Sequence, residues 1–155
     1  MKTALYVATV ARTYRKAIDD FKKDPELYRQ NMEWYKEEIG KCTYREFTTG
    51  FYFGKPGADA QIYDNNTYVK NFTYLGTVEK VDERGFAKIE QPNKFSVGEM
   101  IEIMKPDGRN LQVEVKGIYD AEGQAQESAP HPKQELYIDL GVAPEEYDIL
   151  RRQEP

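Results

Sequence analysis

Cysteine and histidine are almost absent from this sequence, and so is any long apolar run. The 155 residues include one cysteine, Cys42, and one histidine, His131. A single thiol cannot form an internal disulfide, which favours a reducing compartment. Without a signal peptide or an apolar run long enough to cross a bilayer, the chain is expected to work in the cytoplasm with no membrane partner.

An excess of positive charge is also missing. The chain carries 22 Lys and Arg residues against 27 Asp and Glu residues, which is a formal net charge of −5. A protein that binds nucleic-acid phosphates over its whole surface would be basic. The acidic net charge therefore allows phosphate binding only at a local basic patch. The length allows one domain with a real core, or a small barrel with a helical attachment.

Residues that could form a catalytic site are sparse and scattered. As a nucleophile, Cys42 would need a base and an orienting group, and the sequence marks neither beside it. His131 lies in a loop between two prolines, without the Cys residues or clustered carboxylates of a metal site. No glycine-rich phosphate loop occurs. The sequence therefore predicts no catalytic residue, no metal site and no cofactor for this chain.

The first forty residues have helical periodicity. Apolar residues recur at three- and four-residue steps and predict one stripe of a helix: Val7, Val10 or Ala11, Tyr14, Ala17 or Ile18, and Phe21. We expect this stripe to lie on the barrel, to pair with another chain, or to leave the helix frayed. The charged residues around it are expected to form a solvated face: Arg12, Arg15, Lys16, Asp19, Asp20, Lys22 and Lys23.

A second helix is predicted directly after the first. Asp24 can accept a hydrogen bond as an N-cap, and Pro25 suits the first helical position. Residues 1–43 are therefore predicted to form a helical pair, or a connector from another domain.

Strand periodicity begins in the aromatic stretch 45–54, which we interpret as the first strand of a barrel. Short strands with Gly, Pro and Asp turns follow, including two hairpins and a last strand at 135–140. The predicted fold is mainly β: a small antiparallel β-barrel over residues 44–143, preceded by two α-helices and followed by a C-terminal tail, 144–155. Deletion of the helices is expected to leave this barrel folded.

The same aromatic stretch supplies the candidate contact residues Arg45, Tyr52 and Lys55. Aromatic side chains interleaved with Arg and Lys suit single-stranded RNA or an extended peptide. The alternative is that most of these aromatic residues fill the barrel core. In a strand, Phe51 and Phe53 would point to one face and Tyr52 to the other, so we assign the two phenylalanines to the core and Tyr52 to the contact surface.

Eight short segments occur in an order that is specific in combination: Leu5-Tyr6-Val7-Ala8-Thr9-Val10, Tyr14-Arg15, Thr48-Thr49-Gly50-Phe51-Tyr52, Ile89-Glu90-Gln91, Asn93-Lys94-Phe95, Gly98-Glu99, Pro130-His131-Pro132 and Tyr147-Asp148-Ile149-Leu150-Arg151-Arg152. Together they resemble the C-terminal part of the collagenase-like peptidases, unassigned peptidase family thirty-two. The resemblance covers almost the entire chain. The turn spacing of the barrel also resembles the second domain of translation factors such as elongation factor Tu, as a statement about topology alone.

The family resemblance implies a bacterial protein whose catalytic (β/α)-barrel precedes these residues. Family members are peptidases, some of them collagen-degrading, and one branch takes part in hydroxylation of transfer RNA uridine. The chain is then expected to be a non-catalytic accessory domain that positions RNA or protein for the preceding catalytic domain. A self-sufficient peptidase is the alternative, and the lack of a nucleophile with a base argues against it.

Overall fold

The computed structural model describes residues 2–42, 50–55, 57, 71–131 and 133–154. Within these residues, three helices precede eight strands. The helices are α1 (Ala4–Lys23), α2 (Pro25–Gln30) and α3 (Met32–Gly40). The strands are β1 (Phe72–Val81), β2 (Ala87–Gln91), β3 (Met100–Met104), β4 (Asn110–Glu114), β5 (Gly117–Tyr119), β6 (Ala125–Gln126), β7 (Gln134–Asp139) and β8 (Ile149–Gln153).

The helix starts follow from local capping chemistry. Thr3 accepts a hydrogen bond from the backbone N–H of Tyr6 at 3.2 Å, and Asp24 accepts one from Glu26 at 2.9 Å, with Pro25 in the first turn. The predicted helix start at Asp24 is confirmed. The predicted second helix is divided at Asn31, so three helices stand where the sequence indicated two.

The strands form one antiparallel sheet in the order β4-β3-β8-β1-β2-β7-β5-β6. The chain passes from β4, at one end of this sheet, directly to β5, next to the other end, through Val115 and Lys116. Val115 donates to the carbonyl of Glu99 at 3.0 Å, on the β3 side, and Lys116 donates to the carbonyl of Asp139 in β7 at 2.8 Å. The sheet therefore curls into a small barrel, which confirms the predicted fold class.

The core lies inside this barrel and contains side chains from the sheet and its connections. Its members are buried apolar residues: Leu75, Val78, Ala87, Ile89, Phe95, Ile101, Ile103, Val113, Val115, Ile118, Ala129, Leu136, Ile138, Leu140 and Leu150. Gly76 lies at a register shift in β1 with a φ of +150°, and a Cβ there would lie 3.3 Å from the Glu90 carbonyl oxygen. A side chain at this position would crowd β2, so the bulge favours glycine.

Both predicted hairpins are confirmed. β1 pairs with β2 across the turn at residues 82–86, and β3 pairs with β4 across the turn at residues 105–109. The predicted last strand corresponds to β7. The tail prediction is wrong, because β8 lies within residues 144–155 and occupies a central position between β3 and β1. The sequence did not predict this strand because Arg151 and Arg152 are typical of an exposed segment.

The predicted first barrel strand is also wrong in the part that the structure describes. Residues 50–54 form a turn, in which the N–H of Gly54 donates to the carbonyl of Phe51 at 3.2 Å. Phe51 and Phe53, assigned to the core from strand alternation, are 78% and 82% exposed. Gly50 has a φ of +54°, in the left-handed region that lies outside strand geometry. Within the described residues, the first strand of the barrel is β1.

Helix α1 turns most of its apolar stripe away from the barrel, so the first of the three expected positions of that stripe is wrong. The expected solvated face is covered only in part. Arg12 and Asp20 are buried, as are Thr9 and Thr13, whereas Arg15, Asp19, Lys22 and Lys23 are exposed. The apolar stripe faces outward and has four exposed members: Val7, Tyr14, Ile18 and Phe21. Of the apolar residues of α1, Leu5 is buried, in a small cluster with Phe72, Met104 and Ile149 on the outside of the barrel. The helix thus packs on the barrel mainly through polar side chains.

Candidate functional site

The most exposed aromatic surface of the described residues is the turn at residues 50–55, which we call the aromatic turn. Tyr52 is 85% exposed, and its ring packs edge to face on that of Phe53 with a centroid distance of 4.9 Å. Lys55 is exposed at the end of the same turn. Two of the three predicted contact residues are therefore accessible and close in sequence. Arg45 lies outside the described residues.

A second arrangement, which the sequence did not reveal, joins the helices to the barrel. We call it the charge cluster; it consists of Arg12, Glu38, Glu102 and Arg151. Glu38 Oε1 accepts from Arg151 Nη2 at 2.6 Å and forms an ion pair with Arg12. Arg151 also pairs with Glu102, with 2.7 Å between Nε and Oε1. All four side chains are buried.

The charge cluster is closed by a lysine, an amide and an aromatic ring. Glu38 Oε2 accepts from Lys41 Nζ at 2.9 Å and from Asn110 Nδ2 at 3.0 Å. The guanidinium of Arg151 lies 4.7 Å from the ring centroid of Phe72. Glu38 thus has four partners: Arg12 in α1, Lys41 just after α3, Asn110 in β4 and Arg151 in β8. It therefore links the helices to the barrel.

The pKa of Glu38 is set by these neighbouring groups and by burial. Burial by itself raises the pKa of a carboxyl group, but the positive charges of Arg151 and Arg12 and the hydrogen bond from Lys41 outweigh burial, so the pKa of Glu38 lies below its ordinary value. The carboxylate is therefore ionised at neutral pH. A fully paired, ionised group of this kind orients helices on a barrel, and it offers no free proton for catalysis.

We expect Glu38 to contribute to the loss of stability in acid. Because its pKa is lowered in the folded state, the unfolded chain takes up this proton first as the pH falls. The stabilising contribution is complete above the unfolded pKa of about 4.3 and is lost as the pH falls through the folded value. Denaturant unfolding between neutral pH and pH ~3 should therefore show a flatter pH dependence for Glu38→Gln than for the wild type.

The matched control is Glu33→Gln, at an exposed carboxylate of α3 whose partner is Lys36. Its pH profile should run parallel to that of the wild type. If the Glu38→Gln profile is also parallel, Glu38 is not the group that titrates with folding.

Asp20 forms a smaller polar centre between α1 and α3. Its Oδ2 accepts from Tyr35 Oη at 2.6 Å, from Asn31 Nδ2 at 2.9 Å and from Lys16 Nζ at 2.8 Å. Burial and the hydrogen bond to the Asp20 carboxylate raise the pKa of Tyr35 to about 12. These contacts hold the helices together, which explains why Asp20 is buried rather than solvated.

The two residues considered for catalysis are not brought together. Cys42 is buried, its thiol donates to the carbonyl of Ile39 at 3.1 Å, and burial raises the pKa of that thiol. His131 lies exposed in the loop before β7. In the described part of the chain, no three His, Cys, Asp or Glu residues are placed to share a metal ion. None of the helices described above combines the length and apolar character needed to span a bilayer.

Relatives of this chain carry names that concern transfer RNA. The chain is 34% identical over 135 residues to tRNA hydroxylation protein P1 of Bacillus subtilis, covering 86% of this chain and 32% of that protein. It is 29% identical over 130 residues to tRNA hydroxylation protein P of Escherichia coli, covering 83% of this chain and 28% of the relative. The chain therefore spans about a third of the length of these relatives.

Among solved structures, the chain is similar to the C-terminal domain of a protein from Geobacillus thermoleovorans described as a U32 peptidase. The identity is 26% and the TM-score is 0.47, over 52% of this chain and 99% of that chain.

Two family models match the sequence in consecutive parts. The model for the peptidase family U32 C-terminal domain matches residues 70–151, just over half of the chain, and the model for peptidase family U32 matches residues 1–62. The first match corresponds to the barrel and the second includes all three helices. This chain therefore belongs to peptidase family U32, and its barrel is the C-terminal domain of that family.

Proposed function

We propose that this chain is a non-catalytic part of a larger protein of tRNA modification, and that it contacts the RNA through the aromatic turn. The observation that carries the proposal is the exposure of Phe51, Tyr52 and Phe53, each between 78% and 85%, beside Lys55. Three adjacent aromatic rings in water are unusual unless they meet a partner, and unpaired bases stack well on such rings. The names of the relatives support RNA as that partner.

The net charge of −5 limits the strength of this contact. Long-range attraction to phosphate is weak on an acidic protein, so stacking has to supply most of the affinity of the aromatic turn. A preceding catalytic domain would then supply the chemistry and the remaining binding surface.

The self-sufficient peptidase has less support. A nucleophilic cysteine acts as a thiolate and needs access to its substrate. The thiol of Cys42 is buried, its pKa is raised and its hydrogen bond is to a backbone carbonyl. These three observations point to a structural thiol.

Replacement of Tyr52 by alanine is expected to weaken binding of unmodified transfer RNA without loss of stability. A stacked ring contributes about 1 to 3 kcal/mol, which corresponds to roughly a 5- to 150-fold increase in Kd. Tyr52 is 85% exposed, so the unfolding midpoint should stay at the wild-type value. Lys55→Ala should weaken binding less and should reduce its salt dependence. Fluorescence anisotropy with labelled transfer RNA at two salt concentrations measures both effects.

Tyr147→Ala is the matched control, because Tyr147 is also an exposed tyrosine, at 70%, but precedes β8 in a different loop. It should bind as the wild type does. The proposal is wrong if Tyr52→Ala and Tyr147→Ala bind transfer RNA equally well, and binding of denatured collagen with loss at Tyr52 would assign the turn to a protein substrate instead.

A further inference from the structure

A continuous apolar surface covers the side of α1 that faces away from the barrel. We call it the outer face of α1; its members are Val7, Tyr14, Ile18 and Phe21, each between 47% and 61% exposed. Tyr14, Ile18 and Phe21 follow the i, i+4, i+7 spacing by which a helix presents anchors to a partner. Four large apolar side chains exposed on one side of a single helix mark an interaction surface.

The outer face continues into a groove between α1 and α2. The groove measures about 540 Å³, and its lining is mostly apolar: Tyr14, Ala17, Ile18, Phe21, Lys22 and Tyr28. The ring of Phe21 packs edge to face on Tyr28 with a centroid distance of 5.7 Å, which fixes the wall of the groove. The surface is therefore preformed.

One ion pair lies at the border of the outer face. Arg15 and Asp19 lie one turn apart on its edge, and Arg15 Nε donates to Asp19 Oδ2 at 2.8 Å. A partner that covers the face therefore meets these two charges as a pair, with Lys22 at the groove as a further charged residue.

Helix α1 is fixed to the barrel by its other side, through Arg12 and Leu5. Since the polar side of the helix contacts the barrel, the apolar side is free to contact another domain. The sequence matches indicate what that domain is. The model of peptidase family U32 matches residues 1–62 and includes all of α1, whereas the C-terminal-domain model begins at residue 70. The relatives are about three times as long as the matched part.

We propose that the outer face of α1 is the docking surface for the rest of the U32 domain, which in the longer relatives lies outside the part matched by this chain. In this arrangement α1 lies between two bodies, with its charged side on the barrel and its apolar side on the U32 domain. The inference rests on the proposed function only in that both place the chain within a larger protein. The interface itself involves no RNA.

The test compares this chain with a longer protein in which it replaces the matching 135 residues of the Bacillus subtilis relative. Ile18→Cys places a thiol in the centre of the outer face, and Cys42 adds little background because it is fully buried. Labelling by a maleimide should be rapid in the chain alone and about tenfold slower or more in the longer protein, because the interface must open first. Glu83→Cys, in the exposed turn between β1 and β2, should label at the same rate in both.

Hydrogen exchange on the two proteins without cysteine substitutions is the second measurement, and it does not depend on the folding of the variants. The side of α1 that bears Tyr14 and Ile18 should be more protected in the longer protein. Equal labelling rates and equal exchange would overturn the proposal. The proposal would also be overturned if the chain alone sedimented as a dimer and the Ile18→Cys thiol in that dimer were protected from the maleimide. The outer face would then be covered by a second copy of the chain. Transfer RNA binding is measured on the chain alone, so either proposal can fail without the other.

Discussion

Glu38→Ala is expected to lower the free energy of unfolding by about 3 to 5 kcal/mol, the typical loss when one partner of a buried ion pair is removed. The carboxylate of Glu38 is shared by Arg12 and Arg151, and both guanidinium groups are buried. Without it, Arg12 loses its ion pair with Glu38, and Arg151 keeps the ion pair with Glu102. Urea unfolding followed by circular dichroism measures the change.

Glu33→Ala is the control for this effect. Glu33 is also a glutamate of α3, but its side chain is 78% exposed and its pair with Lys36 lies in solvent. Exposed pairs contribute about 0 to 1 kcal/mol, so this variant should unfold nearly as the wild type does. Similar small losses for both variants would show that the charge cluster does not hold the helices on the barrel.

Deletion of residues 1–41 is expected to leave a folded but less stable barrel. The main core contains no side chain from the helices, so it should survive their removal. The outer cluster, in contrast, loses Leu5, and Phe72, Met104 and Ile149 become exposed to water. Each of these side chains loses at most about 1.5 to 3 kcal/mol of burial, so several kcal/mol are lost in all.

Circular dichroism and amide dispersion in NMR spectra test the fold of the truncated chain, and urea unfolding gives its stability. The division of the chain near residue 43 stays a prediction until this is done. A truncated chain without dispersed amide signals would show that helices and barrel fold as one unit. Unchanged stability would show that the helices contribute nothing to the barrel.

Local sequence signals determined the elements whose cause is local. Asp24 and Pro25 marked a helix start because an N-cap and a proline act within one turn of chain. The turn residues between β1 and β2 and between β3 and β4 determined two hairpins, since a tight turn sets the pairing of the strands beside it. The family resemblance is confirmed by the two model matches.

The tertiary structure alone decided which surface of each element is covered. Periodicity identified the apolar stripe of α1, but burial depends on the partner that is present. Here the barrel offers Arg12 of the helix two polar acceptors, the carbonyl of Lys105 and the side chain of Asn110. Strand β8 was missed because its two arginines are typical of a solvated tail, and Arg151 can be buried only since Glu38 and Glu102 neutralise it. These carboxylates lie 113 and 49 residues away along the chain, and no local pattern reports a contact over such a separation.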